Sequence, residues 1–151
     1  MKVFVFDLDF TLWDAGGTWC DATNPPYNWE NGLLLDSCGA HIKLYDDVIQ
    51  ILEELKEHGK KIVAASRTYQ PDWAQDLLRL FDIDKYFDLK EIYPSSKIQH
   101  FNRIQNHFMI PFNEMVFFDD EYRNIEDVSG LGVESVIVRN GIQKNMVQRY
   151  Y

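Results

Sequence analysis

Val3-Phe4-Val5-Phe6 opens the chain as an unbroken apolar run that stops at two carboxylates, Asp7 and Asp9. A short apolar run of β-branched and aromatic residues reads as a strand buried on both faces. After a long stretch without helical periodicity, Val48, Ile49, Leu52 and Leu55 recur at helical spacing. They predict a helix near Asp46–His58, with Gly59 as its stop. Lys61–Ala65 is a second buried strand, and Pro71 suits the first turn of a helix with Trp73, Leu77, Leu78 and Phe81 on its apolar side. A short strand is expected near Phe87–Ile92. Ser95 or Ser96 then caps a helix bearing Ile98, Phe101, Ile104 and Phe108, and Pro111 follows it. Met115–Phe118 reads as a strand, Glu121–Leu131 as a helix and Glu134–Val138 as a last strand. Strands separated by helix-length segments predict an α/β fold, a doubly wound, Rossmann-like parallel sheet of five strands with helices on both faces. No internal repeat or low-complexity tract interrupts the pattern.

A chain of 151 residues suffices for one ordinary core, so a single domain over 1–151 is expected. Lys and Arg number 15 against 24 Asp and Glu, a formal charge of -9. That balance argues against binding nucleic acid or an anionic membrane, both of which need basic patches. The first strand begins at Lys2, leaving no room for a signal peptide, and no apolar run approaches membrane-spanning length. The expectation is a cytoplasmic monomer. Cys20 and Cys38 are then free thiols rather than a disulfide.

Ligands of an open parallel sheet bind beyond the carboxyl ends of its strands, so those ends are where chemistry should be sought. The first strand delivers Asp7 and Asp9, whose i, i+2 spacing puts both carboxylates on one side. Crowded carboxylates repel unless a cation lies between them. The second strand delivers Ser66, Arg67 and Thr68. The third leads through Pro94-Ser95-Ser96 to Lys97 at a helix start, and the fourth delivers Asp119, Asp120 and Glu121. Acidic all-oxygen donors suit a hard ion such as Mg²⁺ better than zinc. Ser66 and Lys97 with nearby helix amides suit a phosphate.

This order of motifs resembles the haloacid dehalogenase superfamily of phosphohydrolases and, more narrowly, the magnesium-dependent phosphatase family. The likeness is carried by Phe6-Asp7-Leu8-Asp9-Phe10-Thr11-Leu12-Trp13, Ala64-Ala65-Ser66-Arg67-Thr68, Glu91-Ile92-Tyr93-Pro94 leading to Lys97, and Phe117-Phe118-Asp119-Asp120-Glu121 through Arg123-Asn124-Ile125. It is weakest from Asp14 to His41. The resemblance implies that Asp7 attacks phosphorus and that Asp9 is the acid and base. Mg²⁺ would bind Asp7, the Asp9 carbonyl and Asp120. Leu8, Asp9, Ser66, Arg67 and Lys97 would hold phosphate or substrate, with Thr11, Asp119 and Asn124 behind them. Asp120 is preferred over Asp119 as the direct ligand, because neighbours on a strand point to opposite faces. Asn124, four residues beyond Asp120, returns to the same helical face. The implied substrates are phosphotyrosine proteins, sugar phosphates or glycated-amine phosphates. A phosphoaccepting receiver-like module and an inactive phosphate-binding module are the alternatives. Receivers, however, place the acidic pair after strand one and the acceptor after strand three, the reverse of this order.

The segment from about 14 to 44 is long for a connection in a compact domain, and such loops are usually functional. Asn31-Gly32 is a type I′ hairpin signal. The expectation is a small β-hairpin flap in place of a cap domain. Tyr27 and Trp29 are assigned to one face, either as a substrate-facing wall or as packing on the sheet. Cys20, Cys38 and His41 lack the close pairing of a zinc site. His100 and His107 are expected in solvent, Phe101 and Phe108 in the core.

Overall fold

A computed structural model describes all residues, Met1–Tyr151. Five parallel strands form the central sheet: β1 (Val3–Phe6), β6 (Lys61–Ser66), β7 (Leu89–Ile92), β8 (Met115–Asp119) and β9 (Glu134–Ile137). Their order is β7-β6-β1-β8-β9, with β1 flanked in register by β6 (Val5 opposite Val63) and by β8 (Val5 opposite Phe117). The chain winds outward from β1 to β7, then crosses back to β8. The order therefore reverses at the centre, where an open α/β sheet forms its crevice.

Alternation divides the strands between two cores. Phe4, Phe6, Ile62, Ala64, Val116 and Phe118 face one side, against helices α1 (Val48–Glu57), α2 (Pro71–Leu80) and α5 (Lys144–Gln148). Val3, Val5, Val63, Ala65, Met115 and Phe117 face the other, against α3 (Lys97–Phe108) and α4 (Tyr122–Ser129). The doubly wound sheet read from the sequence is thus the observed one. The short helix α5 carried too few residues to register as periodic. Ser96, not Ser95, is the cap of α3, its Oγ accepting from the Gln99 N–H at 3.4 Å.

The 14–44 segment is more than a hairpin. β3 (Asn28–Glu30) and β4 (Leu33–Leu35) do form the expected pair, and Asn31 (φ 51) and Gly32 (φ 80) both take the left-handed backbone of a type I′ turn. They join β5 (His41–Leu44) and β2 (Trp13–Ala15) in a second, antiparallel sheet of order β2-β5-β4-β3. This sheet is anchored to the first motif through β2. The C-terminal segment ties to the same loop, with the Ile142 N–H donating to the Thr11 carbonyl at 2.9 Å. Beside it, Gly141 (φ +81) lies so close to Tyr45 that a Cβ would stand 2.4 Å from the ring. No helix is long and apolar enough to cross a membrane.

Candidate active site

At the carboxyl ends of β1 and β8, Asp7, Asp119 and Asp120 bring one carboxylate oxygen each to within 4.8 Å of one another. Lys97, fully buried at the first turn of α3, lies among them, its Nζ 3.1 Å from Asp7 Oδ1 and 3.1 Å from Asp119 Oδ2. It also donates to the Ala65 carbonyl at the end of β6 and sits 5.1 Å from the centre of the Phe117 ring. A buried ammonium is tolerated only where carboxylates surround it. Burial lowers the Lys97 pKa, but the Asp7 and Asp119 carboxylates more than offset that and hold it above its ordinary value.

The carboxylates feel the crowding in the opposite sense. Burial, then Asp119, pushes Asp7 well above the usual carboxylate range. Burial raises Asp120 to about 6, and Asp119 adds to it. Three carboxylates against one ammonium leave uncompensated negative charge at an all-oxygen cluster, and this donor set fits Mg²⁺.

Asp119 and Asp120 differ in how they are held. Asp119 is fully buried, and besides Lys97 it accepts from the Glu121 N–H (2.8 Å) and from Asn124 Nδ2 (3.1 Å). Asp120 is less buried, and its side-chain partner is the Asp7 carboxyl rather than a cation or an amide. Alternation does not separate the two as expected, because β8 ends at Asp119 and the chain turns before Asp120, so both carboxylates reach one cluster.

Around this cluster lies a cavity of about 700 Å³, lined among others by Asp9, Ser66, Arg67, Asn124, Trp19 and Tyr69. Arg67 Nη1 donates to Asn124 Oδ1 at 3.0 Å. Leu8 contributes only backbone, since its side chain is in the core; its N–H and that of Asp9 have no partner within the chain. Unpartnered amides beside Ser66 and Lys97 form a cradle for an anion. Thr11 is fully buried behind the loop with its hydroxyl unpartnered. Asp9 accepts from Trp13 Nε1 and from the Cys20 N–H, and burial raises its carboxyl to about 6. A carboxyl that titrates near neutrality can both give and take a proton.

A model of the acid phosphatase family matches residues 1–150. The chain belongs to the acid phosphatase family. It is 46% identical to the human magnesium-dependent phosphatase 1 over 143 residues, covering 93% of this chain and 80% of that protein. It is 39% identical to a HAD-like hydrolase superfamily protein of Schizosaccharomyces pombe, over 87% of this chain and 82% of the relative. A haloacid dehalogenase-like hydrolase of Streptococcus pneumoniae shares the fold at 14% identity, TM-score 0.70, covering 99% of this chain and 90% of that one. The phosphatase-containing N-terminal part of a Bacteroides fragilis protein, solved with Mg, superposes with TM-score 0.69 at 18% identity, over 99% of this chain and 38% of that one. The likeness to the haloacid dehalogenase superfamily read from the motifs is borne out.

Within this family frame, several sequence expectations change. Tyr27 is buried with its hydroxyl on Thr23 Oγ1 at 2.6 Å, and it precedes β3 rather than sharing a face with Trp29. Trp29 packs edge-on against Phe81, 5.9 Å between centroids, in a separate apolar cavity of about 320 Å³. Neither lines the active-site cavity. Its aromatic residues are Trp19 and Tyr69, both exposed, with the Tyr69 N–H bonded to Asp21 Oδ2 at 3.3 Å. Their signal in the sequence was position alone, within the flap and directly after Ser66-Arg67-Thr68. His100 is not in solvent: it is fully buried, with Nε2 on the Tyr93 carbonyl at 3.0 Å and Nδ1 unpartnered. His107 is exposed as expected, Phe101 is core, and Phe108 is partly buried at its edge. Cys20 and Cys38 are free thiols.

Proposed function

We propose that this chain is a Mg²⁺-dependent phosphomonoester hydrolase that works through an aspartyl phosphate on Asp7. The observation that supports it most is the cluster of Asp7, Asp119 and Asp120 closed by the Lys97 ammonium, beside the raised carboxyl of Asp9. Asp7, the Asp9 carbonyl and Asp120 would hold the metal, with Asp119 committed to Lys97 and Asn124. Mg²⁺ when bound supplies positive charge that lets one anion approach another.

The chain's own groups account for the rest. Ser66, Lys97 and the free amides of Leu8 and Asp9 hold the phosphoryl oxygens, and Lys97 counters charge that grows in the transition state. A carboxylate oxygen of Asp7 bonds to phosphorus as the ester P–O bond breaks, and Asp9 gives its proton to the departing oxygen. Water then attacks phosphorus, Asp9 takes its proton, and the Asp7 carboxylate leaves, freeing phosphate. Arg67 and the Trp19–Tyr69 mouth face the rest of the substrate. Phosphotyrosine proteins and sugar or glycated-amine phosphates have groups of a size to meet that mouth.

A panel of phosphate esters assayed with and without Mg²⁺ tests the reading, together with trapping of labelled phosphate. Turnover should require Mg²⁺, fall to background in Asp7→Asn with the fold intact, and leave label on Asp7. Label on another residue, or a stable phosphorylated protein without turnover, would overturn it.

A further inference from the structure

The Asp9 carboxyl is gripped along one edge only. Trp13 Nε1 donates to Oδ1 at 2.7 Å, and the Cys20 N–H donates to the same oxygen at 2.9 Å. Beyond these two N–H donors the Cys20 thiol is the one other polar partner of the carboxyl, no N–H reaches Oδ2, and Asp9 lines the active-site cavity. The loop between them makes this possible. The Leu8 carbonyl accepts from the N–H groups of Thr11, Leu12 and Trp13, and Phe10 takes a left-handed φ of 62. The chain therefore doubles back and bridges Trp13 to Asp9.

The indole is itself immobile. Trp13 is fully buried, stacked on Phe81 at 6.1 Å between centroids, and paired in β2 with Leu44. A donor fixed to a core ring is pointed by packing, so little ordering cost falls on the hydrogen bond it makes. The terminal torsion of an Asp side chain is broad and two-fold, so without such contacts either oxygen could face the substrate.

We propose that Trp13, together with the Cys20 amide, is a positioning residue: it pins Asp9 Oδ1 and leaves Oδ2 as the oxygen that exchanges protons during turnover. An oxygen already accepting two N–H groups has little room for an acidic proton, which therefore resides on the other. In the first step the Oδ2–H bond breaks and the proton goes to the departing ester oxygen, giving a hydroxyl. In the second, Oδ2 takes a proton from the attacking water. The inference rests on the reading of Asp9 as acid and base.

The test compares n-butyl phosphate, whose leaving group needs a proton, with p-nitrophenyl phosphate, whose leaving group scarcely does. Trp13→Phe, and Trp13 replaced by the isosteric 3-benzothienylalanine, which lacks the N–H but keeps the packing, are assayed alone and in an Asp9→Ala background. With Asp9 present, either change should lower kcat/KM, which reports formation of the aspartyl phosphate and not the hydrolysis step the two esters share, about tenfold more on the butyl ester than on the aryl ester. In the Asp9→Ala background the difference should vanish. Equal losses on both esters, or losses that persist without Asp9, would mean that Trp13 serves packing alone and would overturn the proposal. If Asp9→Ala discriminates between the esters and the Trp13 variants do not, the positioning role alone falls. If Asp9→Ala itself does not discriminate, the acid–base reading falls and takes this inference with it.

Discussion

Arg67, just beyond the end of β6, and Asn124, in the first turn of α4, are joined by a 3.0 Å hydrogen bond from the guanidinium Nη1 to the amide Oδ1. The same amide gives its Nδ2 to Asp119 Oδ2 at 3.1 Å, so one neutral side chain is oriented by a cation on one side and an anion on the other. Asn124 thereby couples an arginine that lines the cavity to the carboxylate that holds Lys97.

Replacing that amide should be felt at both ends. Asn124→Leu keeps the volume but removes the hydrogen bonds to Arg67 and Asp119, and a longer one to Glu121, which costs roughly 1–3 kcal/mol each where a buried partner is left unpaired. Lower stability in urea unfolding is expected, with a rise in KM from the released Arg67 and a fall in kcat from the loosened Asp119. A variant with wild-type stability and kinetics would remove Asn124 from the site.

Charge crowding makes an opposite prediction for Asp120. Burial and Asp119 oppose its ionised form, so Asp120→Asn should raise the stability of the metal-free protein at neutral pH, on the order of 1 kcal/mol. The same change should abolish the stabilisation that added Mg²⁺ gives the wild type, since a ligand bound to the folded state stabilises by mass action. Calorimetric scans with chelator and with Mg²⁺ check both halves. A Mg²⁺-induced shift in Tm that survives in Asp120→Asn would count against its role as a ligand.

His100 predicts a pH dependence of stability. Burial, then the Lys97 ammonium, holds its imidazole down at about 4, and the Arg67 and Arg103 guanidinium groups act in the same direction. The Tyr93 carbonyl opposes them. Because the folded-state value is depressed, the contribution is complete above the ordinary value near 6.5 and is lost as pH falls from there through about 4. Between pH 7 and 5 the wild type should lose on the order of 1–2 kcal/mol more than His100→Gln, whose carboxylates titrate alike. Parallel stability curves for the two proteins would mean that His100 takes up its proton in the fold as readily as in the unfolded chain.

The two sets of aromatics should separate cleanly. Trp19→Ala and Tyr69→Ala are expected to raise KM severalfold on bulky or aryl esters while leaving acetyl phosphate nearly unchanged, because remote contacts act only on substrates that reach them. Tyr27→Ala and Trp29→Ala should instead lower Tm, with any kinetic loss equal on all substrates. Kinetics on one large and one small ester, alongside melting curves, decide between them.

What the sequence determined by itself is the part written in short-range patterns. The five parallel strands and the helices α1 to α4 lie within a few residues of where apolar periodicity put them, because burial on one or two faces leaves a period of two or 3.6 in the chain. Asn31-Gly32 announced its turn through backbone conformations that few residues adopt. That Asp7, Asp9, Asp119, Asp120, Ser66 and Lys97 come together was legible because a parallel sheet gathers its strand ends on one edge, whatever the packing beneath.

Only the tertiary structure decided the rest. The second sheet is built from strands of three or four residues, too short to carry a period, and β2 and β5 pair across the whole flap. Alternation predicted opposite faces for Asp119 and Asp120, but it lapses where β8 ends. Lys97 and His100 are polar residues buried on one side of α3, and their burial depends on carboxylates and a carbonyl delivered from other elements. Trp13 looks like any core aromatic along the chain. That its one polar atom lands on Asp9 follows from a left-handed turn at Phe10 and a partner strand beginning at His41, neither visible from the residues on either side.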